Sequence, residues 1–230
     1  MKIAVLGLDF PLGKKNLPDE RLDKLNTIFH PPKVTPIQIE FQDSTHLKDA
    51  DALLCEENKK LDLILMDLEI AEQRISQDDA YKGLFTRIKE ALEKETLLCE
   101  IPFSEEEQKS LSNFNLTTLK PATFIKSQAV GSLPEIIKSS YKNSGRISFF
   151  TVNEKELRAW SIKKETTCYE AAGLIHSDIQ RGFIKAEVAG CEDLIKSGGL
   201  SQARGKGLVR LEDKDYLVKD GDLIHFRFNV

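Results

Sequence analysis

Residues 147–162 read ISFFTVNEKELRAWSI. Two short runs rich in aromatic and β-branched residues, 147–152 and 157–162, flank a polar turn, which is the signature of paired strands. Three more strand candidates follow: GFIKAEV (182–188), GLVRLED (207–213) and LIHFRF (223–228), with DKD and KDGD marking turns. Among them lies one convincing helix, TCYEAAGLIHSDIQ (167–180). Five strands with one main helix packed across them predict a β-grasp module. A polar stretch, SSYKNSGR (139–146), precedes it, so the module is assigned residues 144–230.

Upstream the texture differs. Residues 2–7 form a buried-strand signal that breaks at Gly7. PDERLDKLNTIF (18–29) places Leu22, Leu25, Ile28 and Phe29 on one helical face, and Pro31 and Pro32 stop that helix. VTPIQIEFQD (34–43) alternates as a half-exposed strand near a sheet edge, and ADALLC (50–55) reads as a short buried strand. From Asp62 the spacing turns helical through Leu63, Met66, Ile70 and Ile75, breaks near Asp78 and Asp79, and resumes through Leu84, Ile88 and Leu92. Ser104 and Glu107 form a capping-box pattern that opens a short helix through Leu111. PATFIK (121–126) returns to strand. The expected class is α/β: a mostly parallel sheet from 1–61 and 116–143 carrying a helical hairpin insert at 62–115.

The chain of 230 residues has formal net charge −4, which supplies no global basic field for nucleic acid. Residues 145–230 carry 14 Lys+Arg against 13 Asp+Glu, and the remainder 19 against 24, so the C-terminal part repels a polyanion less. Cys55, Cys99, Cys168 and Cys191 are scattered without metal spacing and read as buried thiols in a reducing compartment. The four histidines are equally dispersed, which disfavours zinc. Neither a signal peptide nor a membrane-spanning run is visible. The expectation is a soluble cytoplasmic protein with neither membrane nor DNA as partner.

The long C-terminal segments HSDIQRGFIKAEV and DGDLIHFRFNV, with the strands around them, closely resemble the C-terminal TGS domain of YchF-type ATPases, the Obg-like branch of the P-loop NTPases. MKIAVLGL resembles that family's first strand, and PDERLDKLNTIFHPPKVTPIQIEFQD the segment leading into its switch II. LDLILMDLEIAEQRI resembles the start of its coiled-coil insert, and FSEEEQKSLSNFNLTTLKPATFI the return into its base-reading strand. The resemblance covers nearly the whole chain, with large pieces missing. It implies a reduced P-loop NTPase-like sheet followed by a β-grasp TGS domain.

The stretch GLDFPLGKK (7–15) stands where that family keeps its phosphate loop. A working loop is G-x-x-x-x-G-K-[ST]: backbone amides cradle the phosphates, the Lys reaches the β/γ oxygens and the hydroxyl holds Mg²⁺. Five residues rather than four separate Gly7 from Gly13, Lys15 follows Lys14 where the hydroxyl belongs, and Pro11 removes an amide. Asp43 matches the switch II aspartate, but His46 replaces the glycine three residues on, and His46 itself reads as a surface histidine rather than a base. The base-reading Asn-x-x-Glu falls on Ser127-Gln128-Ala129-Val130. Gly7, Gly13, Lys14, Lys15 and Asp43 are therefore vestigial nucleotide-site residues, and no meaningful hydrolysis is expected.

The resemblance implies that the TGS domain docks to RNA, the ribosome or a protein partner. Arg181, Lys185, Arg204, Lys206 and Arg210 supply phosphate-contact capacity, supplemented by Arg158, Lys163, Lys164 and Arg227. The basic, glycine-rich stretch GGLSQARGKG (198–207) reads as a flexible contact loop. The expected function is a non-hydrolysing adaptor. A residual ATP- or GTP-binding protein and a protein-only scaffold built on the helical hairpin are the alternatives. No cofactor is expected; ATP or GTP with Mg²⁺ belongs to the first alternative alone. The oligomeric state is open, a dimer being one way to cover sheet edges bared by the shortened switch region.

Overall fold

A computed structural model of the chain describes residues 1–77, 79–126 and 131–229. Its strands are β1 (Lys2–Leu6), β2 (Gly13–Asn16), β3 (Lys33–Thr35), β4 (Gln38–Gln42), β5 (Ala52–Glu56), β6 (Ala122–Ile125), β7 (Arg146–Val152), β8 (Glu156–Lys163), β9 (Phe183–Gly190), β10 (Arg210–Glu212) and β11 (Asp222–Phe228). Its helices are α1 (Glu20–Phe29), α2 (Lys60–Gln77), α3 (Lys82–Glu93), α4 (Glu105–Leu111), α5 (Leu133–Asn143), α6 (Cys168–Ile175), α7 (Ser177–Arg181), α8 (Cys191–Ser197) and α9 (Leu200–Gly205). The chain divides into two compact units, one of residues 1–15 and 39–144, the other of residues 16–38 with the chain from 145 onward. No described helix is long and apolar enough to cross a membrane.

The first unit holds a five-stranded sheet in the order β2-β4-β1-β5-β6. β1 runs parallel to both β4 and β5, and β5 parallel to β6. Ala52, Leu53, Leu54 and Cys55 are all buried, because a strand flanked on both edges and covered on both faces needs a continuous apolar run. α2 turns Leu63, Ile64, Asp67 and Ala71 inward, and α3 turns Phe85, Ile88 and Leu92 inward. The expected stripe through Met66 is corrected: Met66 is 45% exposed. The buried face includes an aspartate, so apolar spacing alone rotates the apparent stripe. The Ser104–Glu107 capping box forms at both hydrogen bonds. α5 falls where the sequence reading has only a polar linker; Ser132 and Glu135 cap it reciprocally, with a proline in its first turn.

The second unit holds a six-stranded sheet in the order β10-β9-β11-β7-β8-β3. β7 pairs antiparallel with β8, β9 antiparallel with β10 and β11, and β11 parallel with β7. That is the β-grasp arrangement, with α6 and its Cys168, Ala171 and Ala172 packed on Phe149, Val188 and Ile224. The expected helix over 167–180 is broken at His176, whose extended backbone and Nδ1, accepting from the Asp178 amide at 3.1 Å, start α7 afresh.

Two features depart from the expected domain layout. β3 pairs parallel with β8, and α1 packs on β8 and α8. Residues 16–38, assigned from sequence to the first body, thus belong to the second. The single strand expected over 34–43 becomes two, β3 and β4, in different sheets. Arg21 anchors the segment: it reaches Asp19 and Asp220 at 2.8 Å each and lies 5.5 Å over the Phe150 ring. Asp220 in turn accepts from the Ser148 amide at 2.8 Å. Glu156 takes Lys33 at 2.9 Å and the Thr35 hydroxyl, and these bonds hold its carboxyl below the usual range.

Candidate functional site

In an open parallel sheet, ligands collect beyond the carboxyl ends of the strands. In the first unit that edge is built by the residues after β1, β4, β5 and β6. Gly7 follows β1 at φ +76, and a Cβ there would meet Lys59 Cγ at 2.7 Å and Glu56 Cβ at 3.2 Å. The glycine thus serves the close approach of the turn between β5 and α2. The chain then buries Phe10 against Phe41, ring centroids 4.6 Å apart, and enters β2 at Gly13.

This path decides the chemistry of the stretch. A phosphate loop delivers its amides and positive dipole end through the helix that follows it. Here Gly13, Lys14 and Lys15 lie in an edge strand instead. Lys14 is exposed, and Lys15 Nζ donates to the Leu12 carbonyl at 3.2 Å. Asp43, at the end of β4, caps its own turn, accepting from the Thr45 amide at 2.9 Å and facing His46 Nδ1 at 3.2 Å. Hydrogen bonds from the Thr45 hydroxyl and amide and from His46 lower its pKa.

The charge at this edge is mixed: Asp9, Glu56 and Glu57 join Asp43, against Lys14, Lys15, Lys59 and Lys126. Lys59 pairs with Asp62 at 2.8 Å, and Lys126 lies 3.9 Å from Glu57. The proposed base-reading positions 127–130 lie outside the described residues. No group of three or more metal-ligating side chains is present among the described residues.

Sequence reasoning missed a polar joint in the first unit. Asp67, with no exposed surface, accepts from the Thr117 amide at 2.8 Å and the Thr118 amide at 2.7 Å, and from the Thr118 hydroxyl at 2.5 Å. It ties α2 to the segment that re-enters the sheet at β6. Burial raises its pKa and the three bonds oppose that shift. An aspartate within an apolar helical run was the available signal, since such a group needs partners.

In the second unit the five proposed contact residues are largely committed to partners. Arg181 pairs with Asp178 at 2.7 Å, Arg210 with Glu212 at 2.9 Å, Lys185 with Asp213, and Arg204 with Glu187. Glu187 also takes Arg227, and its hydrogen bonds from Arg227 and Arg204 lower its pKa. Lys206 follows α9 at its C-cap, exposed to solvent. The expected flexible loop over 198–207 is corrected: α9 occupies most of it, with Ala203 buried, Gly198 at φ 83 and Gly199 at φ 136. Arg158 lies 4.0 Å over the Trp160 ring, whose Nε1 donates to Thr151 at 2.9 Å. Cys55, Cys168 and Cys191 are buried, each thiol pushed up to about 12 by desolvation. Cys99 departs from the expected burial and is exposed.

Fold and site together define a P-loop NTPase-like α/β body whose first-strand loop runs into a strand, on one chain with a β-grasp module. Residues 146–229 match the YchF-GTPase_C family, described as a protein of unknown function (DUF933). The chain is 30% identical over 331 residues to the ribosome-binding ATPase YchF of Bacillus subtilis, covering 97% of this chain and 90% of that protein. It is 26% identical over 322 residues to the ribosome-binding ATPase YchF of Haemophilus influenzae, covering 95% and 89%. The YchF GTPase structure of Schizosaccharomyces pombe superposes with a TM-score of 0.78 at 18% identity, covering 96% of this chain and 88% of that one. The chain belongs to the YchF family. Both alignments are longer than its 230 residues, so they open long gaps in it: this is a shortened member.

Proposed function

We propose that this chain is a non-hydrolysing member of the YchF family that associates with the ribosome through RNA contacts of its second unit. One observation carries the first half: the glycine–lysine stretch after β1 leads into the edge strand β2 and not into a helix. Phosphoryl transfer depends almost wholly on positioning and charge neutralisation. A strand offers no convergent amides, and Lys15 replaces the magnesium ligand. The relatives' shared name, ribosome-binding ATPase, supports retention of the binding half of that description.

The second half rests on the β-grasp unit. Four of the five proposed contact cations are ion-paired, but exposed pairs contribute only about 0–1 kcal/mol each, so a dense polyanion competes for them. Lys206 is the accessible cation of the 198–207 segment. The test is cosedimentation of the full chain with ribosomes over a salt series, with and without Mg-ATP. Binding that weakens as salt rises, ignores nucleotide and falls several-fold in Arg204→Glu/Lys206→Glu is the expected result. Mg-ATP-dependent stabilisation of the free chain would favour the nucleotide-binding alternative, and release of phosphate from Mg-ATP by the free chain would overturn the non-hydrolysing reading. Salt-independent binding, or none, would overturn the RNA contact.

A further inference from the structure

The first unit contains a cleft of about 500 Å³ between the turn after β4, the middle of α2 and the segment 113–117. No residue of the Gly7–Lys15 stretch lines it. Its size is that of a small-molecule site. Met66, Ile70 and Phe114 form apolar walls, while Lys48, Arg74 and Asn115 supply polar groups.

Arg74 is the unusual member. Its guanidinium lies 4.8 Å over the Phe114 ring, yet its buried Nε has no hydrogen-bond partner. A buried charged donor without an acceptor is costly, and native structures seldom retain one without a reason. The acidic groups that line the cleft do not serve it. Asp67 gives its oxygens to Thr117 and Thr118, and Glu69 is exposed. The contact with Phe114 holds the guanidinium at the cleft wall, and such a fork suits bidentate recognition of a planar or tetrahedral anion.

We propose that this cleft binds a small organic anion with a flat apolar body, its phosphomonoester or carboxylate group held by Arg74 with Lys48 and its ring lying along Phe114, Met66 and Ile70. The inference is independent of any RNA contact in the second unit. Both head groups present the paired oxygens that a guanidinium fork takes up.

The test uses the ¹⁵N-labelled full chain and matched probe pairs, phenyl phosphate with phenol and benzoate with benzamide. At least one anion should bind tenfold or more tightly than its neutral partner and shift the Arg74 Nε resonance; whichever anion binds better identifies the head group. Arg74→Met should lose that preference while melting no lower than the parent, because it keeps the stem packing and removes a half-buried charge. Arg74→Lys, which keeps the charge but not the fork, should lose several-fold in affinity and carries the comparison if the Met variant misfolds. Equal affinity for charged and neutral probes overturns the proposal. So does an unshifted Nε resonance, or an early-melting Arg74→Met variant with unchanged anion affinity.

Discussion

The two units treat inherited residues in opposite ways. In the first, the stretch that the resemblance sets against a phosphate loop takes another course: Gly7 accommodates Lys59 and Lys14 stands in an edge strand. In the second, letters and geometry survive together, and the β-grasp pairing runs through β11 to Phe228. A phosphate loop depends on exact length and on the helix behind it, and this stretch has neither the four-residue spacing nor a helix directly after it. A sheet depends on many equivalent backbone pairs and on period-two burial, which tolerate substitution.

The contrast predicts that the units respond separately to perturbation. Trp160 is the chain's sole tryptophan and sits in β8, so its emission reports the second unit, while far-UV circular dichroism reports both. The largest effect is expected at Asp67→Ala. It strands two buried amides and a hydroxyl, and should destabilise by about 3 kcal/mol. Urea melts should show the loss in circular dichroism but not in Trp160 emission; coincident shifts would mean that the units unfold as one.

Gly182→Ala should cost about 2 kcal/mol by overpacking, now visible in Trp160 emission. A Cβ there would stand 2.2 Å from the Asn229 carbonyl oxygen. An unchanged emission midpoint would show that the chain end after β11 moves aside freely. Arg21→Met should destabilise the second unit by about 1.5 kcal/mol through loss of its charged hydrogen bonds to Asp19 and Asp220. If Trp160 emission is unaffected, residues 16–38 do not stabilise the unit to which they belong.

Glu187→Gln should cost about 1 kcal/mol near neutral pH, since both arginine partners are half-exposed. Its sign with pH is definite. A carboxylate whose folded pKa is lowered adds stability above its ordinary value of 4.5, and that stability is lost as pH falls through the folded value. The parent and the Gln variant should therefore converge in melting temperature in acid and separate above pH 4.5. A constant gap across pH would assign the loss to packing. The smallest effect is expected at Lys15→Thr: restoring the magnesium hydroxyl should yield no Mg-ATP thermal shift, because the residue lies in β2. A shift would mean that the loop refolds around nucleotide.

Much of this was legible in order. Alternation at 147–162, 182–188 and 223–228 identified the β-grasp strands, and the Ser104–Glu107 spacing located α4. The Ser132–Glu135 spacing carries the same local signal and marks α5 equally well. The five residues between Gly7 and Gly13 and the lysine at 15 depart from the phosphate-loop pattern. They did not show that a strand replaces its helix, since GKKN has no strong preference and takes its state from the vacant edge of β4.

By itself the sequence determined the elements whose cause is local: periodic burial, caps, and the broken spacing of the first glycine loop. Tertiary structure alone decided what depends on partners distant along the chain. It sent residues 16–38 to the second sheet, where β3 finds β8 and Arg21 finds Asp220. It closed Asp67 against Thr117 and Thr118, and left the Nε of Arg74 without an acceptor beside Phe114. Hydrogen bonds and ion pairs act over a few ångströms in space, and a one-dimensional pattern does not record which remote groups the fold brings within that distance.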